Sequence, residues 1–212
     1  PRWRAPSAAR RNAERRERAN AASIAPGPPP GSPDFPMLRG MRRLRYNVAA
    51  TLDGFIAGPK DEFDWIPQDE TIDFEALFAE FDTFVMGRRT WEVTAAQGPE
   101  SPLAGRRVVV VSRTLAPEAA PGATIVREGV VEAVARLKDE EGKDVWLFGG
   151  GALFRTLLDA GLVDTVEVAV TPVMLGGGVP LVTPGPRGPA LRLASCRPLP
   201  SGIVMLAYDV ER

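Results

Sequence analysis

Short apolar runs rich in β-branched residues alternate with amphipathic segments over most of the chain, and this alternation predicts its secondary structure. Strands are predicted at residues 44–51, 83–86, 108–112, 124–127, 145–148, 165–171, 191–196 and 203–210. Helices are predicted at residues 73–82, after Arg88, at 130–140 and at 152–160. Alternating β and α units followed by two late strands indicate an α/β fold, with a mixed, mostly parallel central sheet flanked by helices and a C-terminal antiparallel hairpin.

The clearest functional signal is a run of three glycines at the junction of a predicted strand and a predicted helix. Gly149, Gly150 and Gly151 stand directly before Ala152 and Leu153, which open the helix. Glycines allow a ligand to approach the backbone, and the N–H groups of the following helix attract a phosphate. The spacing matches neither the Rossmann nor the Walker motif. A diphosphate site is therefore one interpretation of the run, and a tight turn is the other.

Two further strand ends combine cations with hydroxyl groups, which is the chemistry of an anion site. The residues concerned are Gly87, Arg88, Arg89, Thr90, Ser112 and Arg113. If the strands are parallel, their C-terminal ends lie along one edge of the sheet, where open α/β sheets bind ligands. One extended ligand with several phosphates could then contact all three strand ends. The alternative is that the arginines are solvated surface residues and the glycines form turns.

Five motifs taken together resemble the dihydrofolate reductase-like fold family, and they are most similar to the reductase domain of bacterial riboflavin biosynthesis. The motifs are NVAATLDGFIAG at 47–58, VMGRRTWE at 85–92, SR at 112–113, GGG at 149–151 and VTPVMLGGG at 170–178. The resemblance covers the chain from about Met41 to the C-terminus. It implies a small-molecule substrate, NADPH as the cofactor and often a homodimer. It also implies that Ala50 and Ile56 lie near the nicotinamide, although both could be ordinary core or loop residues.

NADPH differs from NADH by a 2′-phosphate, and this group needs a cation and a hydroxyl beside the adenosine. Ser112 and Arg113 supply both at a strand end. Arg88, Arg89 and Thr90 could share that phosphate or contact the diphosphate from the opposite side. The backbone N–H groups of the glycine run would then hold the diphosphate.

Hydride transfer is the chemistry of the cofactor, so the protein must position the substrate and supply a proton. Asp53, which follows the first strand, is the first candidate donor, and its alternative role is that of a turn residue. Asp69 lies in a stretch similar to a folate reductase motif but one residue shorter. Glu167 is a further candidate, because it alternates with valines on a strand and therefore lies on the opposite face from them. The riboflavin-type motif usually has lysine where this chain has Asn47, which weakens assignment to the pathway enzyme itself.

Composition excludes several classes of function. The chain has 212 residues, a formal net charge of −1 and no histidine. The balanced charge favours neither a nucleic-acid partner nor a membrane surface, and no apolar run is long enough to span a bilayer. The absence of histidine excludes a Ser-His-Asp triad and a zinc deaminase, and it disfavours a zinc site, so we expect no metal. We expect a cytoplasmic protein, in agreement with the single Cys196.

Residues 1–40 differ in composition from the remainder of the chain. They are rich in arginine and proline and lack apolar periodicity, so we predict a disordered extension, with an arginine-rich nucleic-acid arm as the alternative. Residues 41–212 are predicted to form the reductase domain. Its predicted activity is hydride transfer from NADPH to a pyrimidine- or pteridine-like heterocycle, such as 5-amino-6-(5-phosphoribosylamino)uracil. The alternatives are a reductase of an unrelated carbonyl or imine compound, and a nucleotide-binding module without turnover.

Overall fold

A computed structural model describes residues 42–98 and 101–212 of the chain. The extension predicted at residues 1–40 lies outside the described residues. Within the described ranges, no helix combines the length and the apolar character that crossing a membrane requires.

A central sheet of eight strands organises the described part of the chain. Its strands are β1 (Leu44–Thr51), β3 (Phe81–Gly87), β4 (Arg107–Val111), β5 (Thr124–Val126), β6 (Asp144–Gly149), β7 (Thr165–Thr171), β9 (Leu191–Pro198) and β10 (Val204–Val210). Their order in the sheet is β5-β4-β3-β6-β1-β7-β10-β9. All neighbours from β5 to β7 are parallel, whereas β10 is antiparallel to β7 and to β9. The predicted mixed, mostly parallel sheet with a C-terminal antiparallel hairpin is confirmed.

Four α-helices of the described ranges lie between the parallel strands along the chain. They are α1 (Phe74–Ala79), α2 (Arg88–Ala95), α3 (Val130–Asp139) and α4 (Gly151–Asp159). Helix α1 begins where the side chain of Asp73 accepts a hydrogen bond from the N–H of Ala76 at 2.9 Å, which is a typical N-cap. The helix predicted over 73–82 is too long, because Phe81 and Asp82 belong to β3 and Phe81 is buried in the core. Burial in the sheet outweighs the local helical pattern there.

Side chains alternate between the two faces of the sheet, and each face packs against helices. The face covered by α3 and α4 is called the α3/α4 face, and on it Tyr46 of β1 stacks on Phe154 of α4 with ring centroids 3.9 Å apart. The opposite face is called the α1/α2 face. There the ring of Trp146 lies 4.9 Å from that of Phe78 in α1, and Trp91 of α2 packs against the same cluster. The sheet is therefore buried on both faces at its centre, as its continuous apolar strands require.

A second, two-stranded sheet lies just after the C-terminal end of β1 and was not predicted from the sequence. It pairs β2 (Phe55–Ala57) with β8 (Val179–Pro180) in antiparallel fashion. The N–H of Leu181 donates to the carbonyl of Gly54 at 2.9 Å, and the hydroxyl of Tyr46 donates to the carbonyl of Leu181 at 3.0 Å. These bonds fix the segment after β8 beside the C-terminal end of β1 and the start of α4.

Replacing Gly151 by alanine should lower the thermal stability of the protein. The added Cβ would lie 2.4 Å from the carbonyl oxygen of Pro180 and 3.0 Å from that of Leu181. Overpacking of this kind costs about 1–3 kcal/mol, which corresponds to a melting temperature about 3–10 °C lower for a domain of this size.

The matched control is Gly177→Ala, because a Cβ at Gly177 meets no atom within 4 Å. Calorimetric melting of both variants tests the packing. Equal melting temperatures would show that the segment after β8 does not press on the start of α4.

Candidate functional site

The N-termini of α2 and α4 lie side by side at one edge of the sheet. Helix α2 begins directly after β3, helix α4 begins just after β6, and β3 and β6 are parallel neighbours. Their N-cap residues are Gly87 and Gly150, which provide no capping side chain, and neither helix has an acidic residue in its first turn. The backbone N–H groups at both helix starts, together with the positive dipole ends, therefore favour an anionic ligand.

The glycine run lies against the first turn of α2. Gly149 has φ 148°, and the peptide bond between Gly149 and Gly150 is cis. A Cβ at Gly149 would lie 3.1 Å from the hydroxyl oxygen of Thr90. The structure thus brings together Thr90 and the glycine run, which the sequence had placed in two separate anion sites. A hydroxyl and backbone N–H groups meet at one point of the edge.

The end of β4 presents arginine beside these helices. Arg113 is exposed and forms no ion pair within the described ranges. Its neighbour Ser112 is buried, and its hydroxyl oxygen accepts the N–H of Leu115 at 3.0 Å and that of Thr114 at 3.3 Å. Ser112 therefore stabilises the turn that carries Arg113. Its hydroxyl oxygen has this structural role in addition to the phosphate contact predicted from the sequence.

Two side chains that were not predicted support this end of the site. Arg127 donates to the carbonyls of Arg113 and Leu115, at 3.0 Å in each case. Thr114 accepts a hydrogen bond at its hydroxyl from Arg88, at 3.1 Å. Arg127 fixes the backbone of the turn, and Thr114 connects it to the start of α2. Thr114 could have been found as the hydroxyl next to Arg113, but the contact of Arg127 carries no signal in the sequence.

Arg89 is less available than predicted, because Asp61 partly neutralises it. The guanidinium donates to Oδ2 of Asp61 through Nη2 at 2.7 Å and through Nε at 3.2 Å, and Nη2 lies 2.6 Å from Oδ1. Asp61 lies in the loop after β2, where the sequence offered no indication of a contact with α2. The pair is exposed, so it contributes little stability and an anionic ligand could compete for the arginine.

The apolar residues predicted to line the cofactor site divide into core and partly exposed positions. The side chain of Ala50 is only 1% exposed and belongs to the core of the α3/α4 face, so it does not form a wall of the cleft. Leu153 is buried in the same core, whereas Ala152 is exposed on the first turn of α4. Ile56 in β2 is partly buried against that core. Because the side chains of Ala50 and Leu153 are buried in the core, these residues could contact a ligand only through their backbone atoms.

Asp53 occupies the turn between β1 and β2, and both of its carboxylate oxygens accept hydrogen bonds. The donors are the hydroxyl of Thr51 at 2.6 Å, the N–H of Leu175 at 3.2 Å and the N–H of Gly176 at 2.7 Å. The Thr51 hydroxyl, followed by the Gly176 N–H, lowers the pKa of Asp53 below its ordinary value. A carboxyl group that stays ionised is a poor proton donor, so the geometry favours the turn role of Asp53.

Asp69 and Glu167 are also engaged in contacts that keep them ionised. Asp69 accepts the N–H of Ser201 at 3.0 Å and that of Thr71 at 2.9 Å, and its contacts with Ser201 and Thr71 hold its pKa well below the usual range. Glu167 lies inside β7, away from the C-terminal end of that strand. Burial raises the pKa of Glu167, but hydrogen bonds led by those of Arg45 outweigh it and lower the pKa.

The groups at the edge form one row, because β4, β3, β6 and β1 are consecutive strands of the sheet. Neighbouring strands are about 4.8 Å apart, so the ends of β4 and β1 are separated by about 14 Å. The row runs from Arg113 past the two helix N-termini to the β1–β2 turn. The exposed Arg113 lies at one end of the row, and the backbone N–H groups of the two helix starts lie at its centre. An extended dinucleotide with a phosphate near one end and a diphosphate in the middle would need this arrangement.

Comparison with known proteins gives a family for this chain. The family model of the RibD C-terminal domain matches residues 42–205. The uncharacterised protein YyaP of Bacillus subtilis (strain 168) is 33% identical, and the alignment covers 79% of this chain and 94% of YyaP. The chain therefore belongs to the RibD C-terminal domain family, a reductase-like family whose membership supports an oxidoreductase.

Solved structures agree on the fold. A protein of Shewanella sp. PV-4, provisionally assigned to riboflavin biosynthesis, has a TM-score of 0.70 at 26% identity and covers 81% of this chain and 100% of its own. Dihydrofolate reductase of Enterococcus faecalis, solved with NADP(H), has a TM-score of 0.61 at 17% identity and covers 82% of this chain and 99% of its own. The predicted dihydrofolate reductase-like fold is confirmed.

Replacing Asp53 by asparagine should lower stability at pH 7, because an amide cannot accept hydrogen bonds at both ends. The folded-state pKa of Asp53 is depressed, so its contribution is present above the unfolded pKa of about 4 and is lost as the pH falls through the folded value. Urea unfolding of both proteins should show a difference that is present at pH 7 and shrinks below about pH 4.

Turnover and NADPH affinity measured on the same variant distinguish the turn role of Asp53 from catalysis. We expect the turn role to leave the turnover of the folded variant near that of the wild type. A hundredfold loss of turnover with unchanged stability would instead identify Asp53 as a catalytic group.

Proposed function

We propose that this member of the RibD C-terminal domain family is an NADPH-dependent reductase that transfers hydride to a pyrimidine- or pteridine-like heterocycle. The observation that carries the proposal is the pair of uncapped helix N-termini that flank the glycine run at adjacent strands. Such a pair provides backbone donors from two directions, which suits a diphosphate. NADP(H) in the structurally similar dihydrofolate reductase of Enterococcus faecalis supports the same class of cofactor.

The proposal assigns each part of the row to a part of the cofactor. Thr90 and the backbone of the glycine run would hold the diphosphate. Arg113 would contact the 2′-phosphate, with Arg88 beside it. The nicotinamide would then lie at the β1–β2 turn, where Ile56 and Leu181 are partly buried and would limit access of bulk water to the hydride path.

Water is the proton donor that the site supports best. Asp53, Asp69 and Glu167 all have lowered pKa values and are ionised at neutral pH. Burial raises the pKa of Tyr46, but its hydroxyl already donates to the carbonyl of Leu181. An ordered water molecule beside the substrate would supply the proton without a dedicated acid, while the side chains orient the substrate.

The reduction of 5-amino-6-(5-phosphoribosylamino)uracil in riboflavin biosynthesis is one reaction within this class. The presence of Asn47 in place of the usual lysine weakens assignment to that particular reaction. The second candidate is a reductase of the same fold that acts on an unrelated carbonyl or imine compound. NADPH oxidation followed with a panel of heterocycles and carbonyl compounds separates the two. Tight NADPH binding without oxidation of any compound would instead favour a binding module.

A homodimer, which the family resemblance implies, stays a prediction. Size-exclusion chromatography with light scattering of the purified chain tests it directly. A mass of 22.8 kDa would identify a monomer.

Arg113→Ala should weaken NADPH binding about tenfold to a hundredfold and leave NADH binding nearly unchanged. A charge-assisted hydrogen bond contributes about 1.5–3 kcal/mol, and each factor of ten in affinity corresponds to about 1.4 kcal/mol. Titration calorimetry with both cofactors measures the two affinities.

The matched control is Arg136→Ala, which removes an exposed arginine near the end of α3, outside the row. It should leave both affinities unchanged. Equal losses for NADPH and NADH in Arg113→Ala would show that the side chain contacts the shared diphosphate or stabilises the fold, which would contradict the assignment.

A further inference from the structure

A network of charged and amide side chains on the α1/α2 face of β1 and β7 has no part in the row described above. The guanidinium of Arg45 donates to both carboxylate oxygens of Glu167, through Nε at 2.7 Å and Nη2 at 2.8 Å. The hydroxyl of Thr165 and the amide nitrogen of Asn47 donate to the same carboxylate, each at 2.9 Å. Glu167 thus accepts four hydrogen bonds, which is the capacity of a carboxylate.

Arg45 is also fully committed to protein carboxylates. Its remaining terminal nitrogen, Nη1, contacts Glu80 and lies 3.4 Å from Asp144. The side chain is only 15% exposed. Arg45 is therefore unsuited to binding a phosphate, and its evident effect is to hold Glu167 in one orientation.

Asn47 is the member of the network that remains available to a ligand. Because a carboxylate accepts only from the amide nitrogen, Glu167 determines which end of the Asn47 side chain is the oxygen. The Asn47 carbonyl oxygen Oδ1 and one of its amide hydrogens have no partner among the residues that the structure describes, and Asn47 is partly exposed. Its backbone is fixed too, since its carbonyl accepts the indole N–H of Trp146 at 2.8 Å.

The sheet next to Asn47 offers room for a flat ring. Ala49 follows on the same face of β1, about 7 Å nearer to the C-terminal edge. It pairs with Ala169 of β7, and Ala207 of β10 pairs with Glu167. All three alanines are partly exposed. A planar ligand above them would lie between Asn47 and the β1–β2 turn, where the proposed cofactor row ends.

We propose that Asn47 is a specificity-determining residue that recognises a ring amide of the substrate, with Arg45 and Glu167 as the residues that position it. This inference rests on the proposed function. A ring amide, or lactam, presents an N–H and a C=O on one edge, and a carboxamide with a free oxygen and a free N–H can bond to both. Arg45 is committed to the carboxylates of Glu80, Asp144 and Glu167, so the group that this face offers to a ligand is the uncharged carboxamide of Asn47. A carboxamide suits the uncharged ring of a pyrimidinedione or pteridinone.

Two pyrimidines that differ only in their ring N–H groups provide the test. They are 5,6-diaminouracil and 5,6-diamino-1,3-dimethyluracil, and the second lacks both ring donors. Each is titrated by calorimetry into the full-length protein saturated with NADP⁺. We expect the wild type to bind the unmethylated compound about tenfold more tightly. In Asn47→Leu, which removes both hydrogen-bonding groups, the ratio of the two affinities should fall to about one.

Two carboxylate variants separate positioning from general stability. In Glu167→Gln the bidentate contact with Arg45 is lost, so the affinity ratio should fall towards that of Asn47→Leu. Asp144→Asn weakens the 3.4 Å contact of Arg45, while its amide oxygen can still accept the N–H of Arg43, so this variant should keep the wild-type ratio. Affinity for NADP⁺ should be unchanged in all three variants, because the network lies outside the cofactor row.

The outcomes distinguish this inference from the proposed function on which it rests. A wild type that fails to bind NADP⁺ would contradict the proposed function. A wild type that binds NADP⁺ but does not discriminate between the two pyrimidines would overturn the role of Asn47. The same conclusion would follow if Asn47→Leu retained the wild-type ratio of affinities.

Discussion

The candidate site depends on the parallel pairing of β3 with β6 at the centre of the sheet. Each strand runs into a helix at its C-terminal end, so the pairing places two helix N-termini next to each other. Backbone N–H groups from two helices then serve one ligand, and no cationic side chain has to be buried to bind its charge. The neighbouring strands β4 and β1 add the arginine end and the turn end of the same row.

The parts of the fold that follow from local pattern could be predicted from the sequence. The limits of β1 and β7 agree with the predicted residues 44–51 and 165–171, since both strands are bounded by turn residues. The strands β2 and β8 were missed because they contain only three and two residues and pair with each other across a long stretch of chain. Such pairing depends on tertiary contacts, which a short sequence window does not contain.

The residue types of the site could be predicted from the sequence, but their hydrogen-bond and ion-pair partners could not. The sequence identified Arg89 and Ser112, yet it carried no signal that Asp61 pairs with Arg89 or that the Ser112 hydroxyl accepts two backbone N–H groups. The candidate acid Asp53 shows the same limit in part, because its pKa is lowered first by the neighbouring Thr51 hydroxyl and then by the N–H groups of a loop far along the chain, which the sequence does not reveal. Roles that depend on long-range hydrogen bonds require the folded structure.

Two carbonyl oxygens lie close to Gly151, so the glycines of the run are required for different physical reasons. Gly149 has φ 148°, which favours glycine, whereas a Cβ at Gly150 would meet only the Thr90 hydroxyl at 3.9 Å, so a substitution at Gly150 would first affect binding. Gly151 faces the backbone of Pro180 and Leu181, so its requirement for glycine belongs to the protein's own packing. A related chain that had lost its cofactor could therefore vary at the second glycine and would still need the first and the third for its fold. The first and third glycines are markers of the fold, and the second is the better marker of activity.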